Sequence, residues 1–201
     1  MHLSATASRI KTILEQRDPA PPLAPAATWR SDLFDELRTA SDAEMLAAPP
    51  KDDDMAQAVR SGLLLWNDAL DTAHALAMSD DVDDDLARQT LDYWHGIMHR
   101  REPDYPNSKY WFRRVGVHPA FPSVLAAARA AVAAADSSGD DATALIATAD
   151  EWDPFAFADL CERHETTDDA TNAVLRAVQV AEIATLLDFA VRGAGGVAVE
   201  R

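Results

Sequence analysis

The chain has 201 residues, 48% of them hydrophobic, and a formal net charge of −16. This length and apolar content suit one domain with a substantial core. No run of 18 apolar residues is present, which argues against a membrane-spanning helix. The strong negative charge disfavours nucleic acid as a partner, because phosphate backbones are repelled.

The excess of Asp over Glu and of Arg over Lys is typical of proteins adapted to a high-salt cytoplasm. The single cysteine, Cys161, cannot form an internal disulfide, and its apolar neighbours predict a small buried residue rather than a nucleophile. A reducing, cytoplasmic location is therefore expected.

The predicted fold class is all-α: an irregular helical bundle in a single domain. Apolar residues recur at spacings of three and four, and Ala, Leu and Arg are abundant. The first helix should cover about residues 4–16. The Pro-rich residues 18–27 should be a linker or an arm packed on the body. Two short helices follow, the first capped by Ser31 and the second opened by a capping box of Ser41 and Glu44.

Longer helices dominate the rest of the chain. The pattern predicts one continuous helix over residues 53–78 and a second over 83–101, which Pro103 ends. Later helices are expected over residues 107–115, 119–135, 142–149, 154–163 and 168–192. The last of these is apolar along much of its length, as expected of a core helix or a homodimer contact. The tail, 193–201, is expected to be loose.

Residues 93–119 differ from the rest of the chain, because they hold three of its six histidines, two of its five tryptophans and four arginines. At about 100° per residue, His95, His99 and Glu102 project from one face of their helix. His-x-x-x-His is the spacing at which two imidazoles on a helix reach one metal ion. Glu102 could be a third ligand, an acceptor for a ring N–H, or a general base.

The preceding long helix offers a matching face. By the same arithmetic Asn67, Asp71 and His74 lie in phase, and a helix hairpin would bring this face to His95 and His99. Five residues are thus predicted metal ligands for Zn, Fe or Mn: His74, His95, His99, Asp71 and Glu102. His95, His99 and Glu102 are also the predicted catalytic groups. The structural alternative needs no metal: each imidazole would bond a neighbouring carboxylate, His95 with Asp71 or His99 with Glu102.

A basic and aromatic cluster follows the histidines. Arginines suit bidentate binding of carboxylate or phosphate, and aromatic faces can stack on a ring or a sugar. A small anionic or sugar-like ligand is therefore predicted for Arg100, Arg101, Lys109, Tyr110, Trp111, Arg113 and Arg114. In the alternative, these cations pair with the surplus aspartates and join helices together. Asn107 is expected to cap the helix that begins at Ser108, and His118 to lie in a loop.

The motif itself is similar to a known pattern. Tyr93 to Pro119 resembles a family of all-helical microbial proteins that carry Tyr-Trp-His-x-x-x-His-Arg-Arg-Glu followed by Asn-x-Lys-Tyr-Trp-Phe-Arg-Arg-x-Gly-x-His-Pro. The resemblance implies a helical fold and does not by itself imply an activity. Residues 103–116 are also similar to one helix of a tetratricopeptide or Sel1-like unit, without a second copy at a fixed period.

Two functions of different classes follow from these patterns. The first is a small-ligand-binding protein or an enzyme whose site lies between two helices. Its chemistry would be metal-assisted hydrolysis or isomerisation of an anionic or sugar-like metabolite. The second is a non-catalytic, tetratricopeptide-like interaction protein whose arginines and aromatic residues bind a partner's acidic segment. A third hypothesis gives the motif a purely structural role.

Overall fold

The predicted all-α fold is confirmed. The computed structural model describes residues 1–78, 82–135, 141–167 and 169–196, with the backbone alone for residues 141 and 142. The described residues form ten α-helices, one 3₁₀ helix (Ala43–Met45) and no strand beyond an isolated bridge between Leu3 and Leu46. The α-helices are α1 (Ala5–Glu15), α2 (Ser31–Thr39), α3 (Asp53–Trp66), α4 (Leu70–Ala77), α5 (Asp85–Arg101), α6 (Tyr105–Val115), α7 (Phe121–Ala134), α8 (Asp141–Thr148), α9 (Pro154–His164) and α10 (Ala170–Ala194).

One hydrophobic cluster holds the bundle together. Helix α10 packs on α3 and α7, and α5 packs on α3, α4 and α6. Trp66 on α3 and Trp94 on α5 are fully buried. Helix α10 buries residues around most of its circumference, as expected for a central core helix. Across the described residues, no helix has both the length and the apolar character needed to cross a membrane.

The Pro-rich segment is an arm that lies against the bundle. Leu23 is buried in the main core. The Pro21 carbonyl accepts a hydrogen bond from Arg176 Nε at 3.1 Å, and the Pro22 carbonyl accepts one from Gln179 Nε2 at 3.2 Å. Beyond these contacts with α10, the arm reaches the end of α3 and the start of α4.

The prediction of one helix over residues 53–78 is wrong. Helix α3 ends at Trp66, and Asp68 adopts a left-handed conformation with φ of 62° before α4 begins. The Asn67 side chain bonds both the backbone N–H and the carbonyl of Arg30, at 3.2 and 2.8 Å. The Asp68 carboxylate accepts hydrogen bonds from Arg17 and Arg101. Contacts with distant segments therefore outweigh the local helical pattern.

The ends of the other helices lie close to their predicted positions. Ser31 is not a cap, however, because α2 starts at that residue with Arg30 before it and no side-chain cap bond. Only half of the predicted capping box forms: Glu44 Oε2 accepts from the Ser41 backbone N–H and hydroxyl at 2.7 and 2.8 Å. The Ser41 hydroxyl does not cap the 3₁₀ helix that follows, whose N-cap is Asp42. Helix α10 continues into the predicted tail as far as Ala194, whose carbonyl accepts from the Lys51 N–H. Residues 197–201 of that tail lie outside the described residues.

Candidate metal centre

Three imidazoles meet where α4 packs on α5. One ring nitrogen from each of His74, His95 and His99 lies within 4.8 Å of the others. The Nε2 atoms of His95 and His99 are 3.0 Å apart. The His74 ring centroid is 4.5 Å from that of His95 and 5.2 Å from that of His99. The structure thus brings together the three histidines that were predicted from two helical faces.

Helix α6 closes around this group through a close approach to α5. Gly96 allows the approach, because a Cβ there would lie 2.4 Å from the Phe112 ring. The Ser108 hydroxyl donates to the Gly96 carbonyl at 2.7 Å. This packing places the Trp111 ring on the His95 ring, with centroids 3.6 Å apart and planes inclined by 16°. Trp111 was predicted to stack on a ligand, and in the structure its neighbour is the histidine itself.

The imidazoles differ in their hydrogen-bond partners. His99 Nδ1 lies 3.1 Å from the Glu102 carboxylate, which can only accept, so Nδ1 carries the proton and Nε2 is left as an acceptor, with His95 Nε2 and Asn107 Nδ2 both 3.0 Å away. His95 is 1% exposed, and its buried Nδ1 has no partner among the described residues. An unsatisfied buried polar atom costs about 1–3 kcal/mol. The alternative in which each ring is satisfied by a carboxylate therefore does not describe His95.

The electrostatics of the site favour neutral rings. Burial lowers the pKa of His95 to about 3, with further lowering from His74, His99 and Arg114. Burial also lowers the pKa of His99, although Glu102 opposes that effect. Only the neutral imidazole has a lone pair for a metal ion. Both rings are therefore in the metal-binding form at neutral pH.

The two predicted carboxylate ligands have different positions. Glu102 reaches the group through His99, as the acceptor that sets the tautomer of the ring. Asp71 is exposed in the first turn of α4 and is not part of the close group of ligand atoms. Asp71 and Glu102 both line a cleft of about 390 Å³. Its other lining residues are Pro25, Ala26, Ala27, Thr28, Phe34, Asp68, Ala69, Leu70 and Thr72.

The predicted basic cluster is not gathered at one place. The fully buried Arg100 pairs with Glu182 on α10, and the fully buried Arg101 pairs with Asp68. The other two pairs join Lys109 to Asp159, and Arg114 to Asp92 at 3.0 Å. These four contacts are the ion pairs between helices that the structural alternative for the basic cluster predicted.

Two members of the predicted cluster remain on the surface. Tyr110 is 48% exposed. Arg113 is exposed, and no hydrogen bond or ion pair joins its side chain to the described part of the chain. Neither residue contacts the imidazoles, so their predicted role in ligand binding stays a prediction.

His118 and Cys161 are buried structural residues. His118 Nδ1 accepts from the Ala120 N–H at 3.1 Å, and its Nε2 lies 3.2 Å from the Thr90 hydroxyl. Its position in the loop between α6 and α7 agrees with the prediction. Cys161 is buried as predicted, and burial raises the pKa of its thiol to about 12. A thiol of this kind is not a nucleophile at neutral pH.

Sequence reasoning missed one neighbour of the imidazoles. Asn107 was expected to cap α6, but the cap is Asp104, which accepts from the Asn107 N–H at 3.3 Å. The Asn107 side chain instead reaches His99, with Nδ2 3.0 Å from Nε2. Position 107 lies on another helix from His99, so helical periodicity carried no signal of this contact.

Comparisons with models of known protein families, with curated proteins and with solved structures find no match to this chain. The resemblance of residues 93–119 to a helical microbial family stays a prediction, as does the likeness to a tetratricopeptide unit.

Proposed function

We propose that the protein binds a divalent transition metal through His74, His95 and His99. We further propose that it is an enzyme that uses this ion in the hydrolysis or isomerisation of a small sugar-like molecule. One observation carries the proposal: three imidazoles, two of them buried, bring one ring nitrogen each to within 4.8 Å of the others. Zn, Fe and Mn are the candidate ions, since imidazole suits the first two and an added oxygen ligand suits Mn.

The spacing of the rings fits one ion. Around a metal with nitrogens at about 2.1 Å, adjacent ligand atoms lie about 3.0 to 3.4 Å apart, for angles from 90° to tetrahedral. The 3.0 Å between the Nε2 atoms of His95 and His99 matches this range. The ligand atoms of the three histidines lie within 4.8 Å of one another. His74 would therefore need only a small side-chain movement to bind the same ion as His95 and His99. Glu102 would hold the His99 ring in the orientation that ligation requires.

The cleft beside Glu102 is the proposed substrate site. Its volume of about 390 Å³ falls in the range of small-molecule pockets. Its exposed carboxylates, Asp71 and Glu102, would repel an anion. The Asp68 carboxylate is neutralised by Arg17 and Arg101. Because Arg100 and Arg101 are tied into buried pairs, we favour the sugar-like half of the predicted ligand class over the anionic half.

The chemistry would be divided between the ion and the cleft. A bound divalent ion polarises a carbonyl oxygen or activates water. Asp71, an exposed carboxylate in the cleft wall, would accept a proton from the bound molecule. The proposal also places the protein in the cytoplasm, where a lone buried thiol stays reduced.

Metal analysis of the purified protein tests the proposal. The wild type, loaded separately with Zn²⁺, Mn²⁺ and Fe²⁺ and then desalted, should retain one of these ions stoichiometrically. His95→Ala and His99→Ala should lose it, because each removes a ligand from a three-histidine set. His2→Asn is the control, since His2 is exposed and outside the group.

Two results would contradict the proposed metal site. A wild type that retains none of the three ions would refute the metal site. Retention of the ion by both alanine variants would show that it binds elsewhere. Melting temperatures of all variants should be measured in parallel, so that loss of metal is not confused with loss of the fold.

A further inference from the structure

We propose that Trp111 is a positioning residue of the metal centre, whose indole ring holds the His95 imidazole in the orientation needed for ligation. This inference rests on the proposed function, since it concerns one ligand of the three-histidine site. The two rings have centroids 3.6 Å apart and planes inclined by 16°, and no other pair of aromatic rings among the described residues is closer than 4.5 Å. Trp111 is half-buried on α6, whereas His95 is buried on α5.

The imidazole of His95 needs such a contact, because no hydrogen bond to its second nitrogen fixes the ring. A metal-bound imidazole almost always donates its other ring N–H to an acceptor, which sets the orientation of the ring. Glu102 does this for His99, at 3.1 Å from Nδ1. The Nδ1 atom of His95 is buried and has no partner among the described residues. The side-chain torsion that turns a histidine ring has only a weak preference of its own, so the face contact with Trp111 takes over this role.

The two rings overlap almost completely. Carbon atoms in contact lie about 3.5–4.0 Å apart, so a centroid separation of 3.6 Å leaves little lateral offset between the rings. Uncharged aromatic rings favour an offset or edge-to-face contact over a face-to-face one. Contact with the face of an indole becomes favourable when the other group carries positive charge, and a metal-bound imidazole is polarised in that sense. The stack therefore suits His95 with an ion bound better than His95 without one.

The indole is itself held from both directions along α6. One turn before Trp111, the Ser108 hydroxyl donates to the Gly96 carbonyl of α5 at 2.7 Å. One turn after it, the Arg114 guanidinium lies 4.9 Å from the centre of the indole ring and bonds the buried Asp92 carboxylate of α5 at 3.0 Å. Both contacts join α6 to the helix that bears the ligand, so the indole has little freedom to move away from the imidazole.

A residue that only packs would behave differently from one that positions a ligand. If Trp111 only packs, its replacement would lower the stability of the protein and leave the affinity of the folded protein for metal unchanged. If it positions His95, its replacement frees the imidazole to rotate, so the metal affinity of the folded protein falls.

Titration with Co²⁺ alone, against a competing chelator, measures that affinity. We expect Trp111→Leu to weaken Co²⁺ binding by roughly tenfold to a hundredfold, the range found when groups that orient metal ligands are removed. Trp111→Phe, which keeps a flat aromatic face, should recover most of the affinity. The matched control is Trp29→Leu. Trp29 is also half-buried and also lies beside an arginine, with Arg17 at 4.5 Å, but within the described structure it stacks on no imidazole.

Indole fluorescence gives a second readout that packing alone does not produce. Co²⁺ quenches indole emission at short range, so its binding at the three-histidine site should lower the emission of the wild type. Trp111→Phe should bind Co²⁺ but show less quenching, because the indole beside the ligand is gone. Trp29→Leu should keep the quenching of the wild type.

The outcomes separate this inference from the proposed function. If Trp111→Leu binds Co²⁺ as tightly as the wild type while His95→Ala does not, Trp111 does not position the ligand and the histidine site stands. Equal weakening in Trp111→Leu and Trp29→Leu, or in Trp111→Leu and Trp111→Phe, would also overturn the inference. Failure of the wild type to bind Co²⁺ would overturn both proposals. If Trp111→Leu does not fold, Trp111→Met, which keeps apolar bulk without a flat face, gives the same comparison with Trp111→Phe.

Discussion

Two groups of buried polar side chains on α5 differ in the groups that they face. Arg100 and Arg101, on the last turn, each have a carboxylate partner, Glu182 or Asp68. Earlier on the helix, His95 and His99 face each other and His74, with one ring nitrogen of each within 4.8 Å of the others. Burial is similar in the two groups, so burial alone does not mark a functional site.

Unmade hydrogen bonds do not separate the two groups, because Arg100 Nε and Nη1 and Arg101 Nε also have no partner among the described residues, and the same is true of His164 Nδ1 elsewhere. The informative property is the kind of neighbour: each arginine faces a carboxylate, whereas three imidazoles face one another. His118 is as buried as His95, but protein groups lie within hydrogen-bond distance of both its ring nitrogens. We therefore interpret the arginines and His118 as structural and the three-histidine group as the proposed metal site.

The largest expected effect concerns the arginine group. Arg100→Met leaves the Glu182 carboxylate buried without its cation and should lower the free energy of unfolding by roughly 3–5 kcal/mol. Adding Glu182→Gln to that variant should recover part of the loss, because the buried charge is removed while an acceptor for the Tyr93 hydroxyl remains. Urea denaturation measures both. A single variant as stable as the wild type would contradict the structural interpretation.

A smaller effect is expected for substitution of Glu102, the carboxylate that bonds His99. Glu102→Gln keeps the shape of the side chain but removes the charge that holds the proton on His99 Nδ1. Metal affinity should fall by roughly tenfold to a hundredfold, while thermal stability without metal changes little, because the Glu102 side chain is 35% exposed and its bond to His99 is partly solvated. Unchanged affinity would show that Glu102 does not orient the ring.

The smallest expected effect tests His118 by its pH dependence. Burial lowers the pKa of His118 to about 3, whereas an unfolded chain has a histidine pKa near 6.5. As the pH falls below 6.5, the unfolded state takes up a proton that the folded state does not, so stability decreases. Between pH 6.5 and 5.5 this contribution is about 1 kcal/mol.

Comparison of the wild type with His118→Gln isolates the contribution of His118 to this pH dependence. The variant should be less stable at neutral pH, but its unfolding free energy should change less between pH 6.5 and 5.5 than that of the wild type. His2→Gln, an exposed substitution, should keep the wild-type slope. Parallel slopes for the wild type and His118→Gln would show that His118 is not held neutral in the fold.

The helices were largely predictable, because their signals are local. The bond between Glu44 and the Ser41 N–H and the end of α5 before Pro103 followed from residues within one turn. The spacing of His95 and His99 likewise predicted one face of the site. The break at Asp68 was not predictable, because Arg17 and Arg101, which bind its carboxylate, come from two other parts of the chain.

What the sequence determined by itself was therefore the all-helical class, most helix boundaries and the pair of imidazoles on α5, since periodicity and capping act within a helix. The tertiary structure decided which polar groups found partners. It assigned Arg100 to Glu182, placed Asn107 beside His99 and left His95 Nδ1 without a hydrogen bond to the part of the chain that the structure describes. These outcomes depend on how separate helices pack, and residue spacing along one helix does not contain that information.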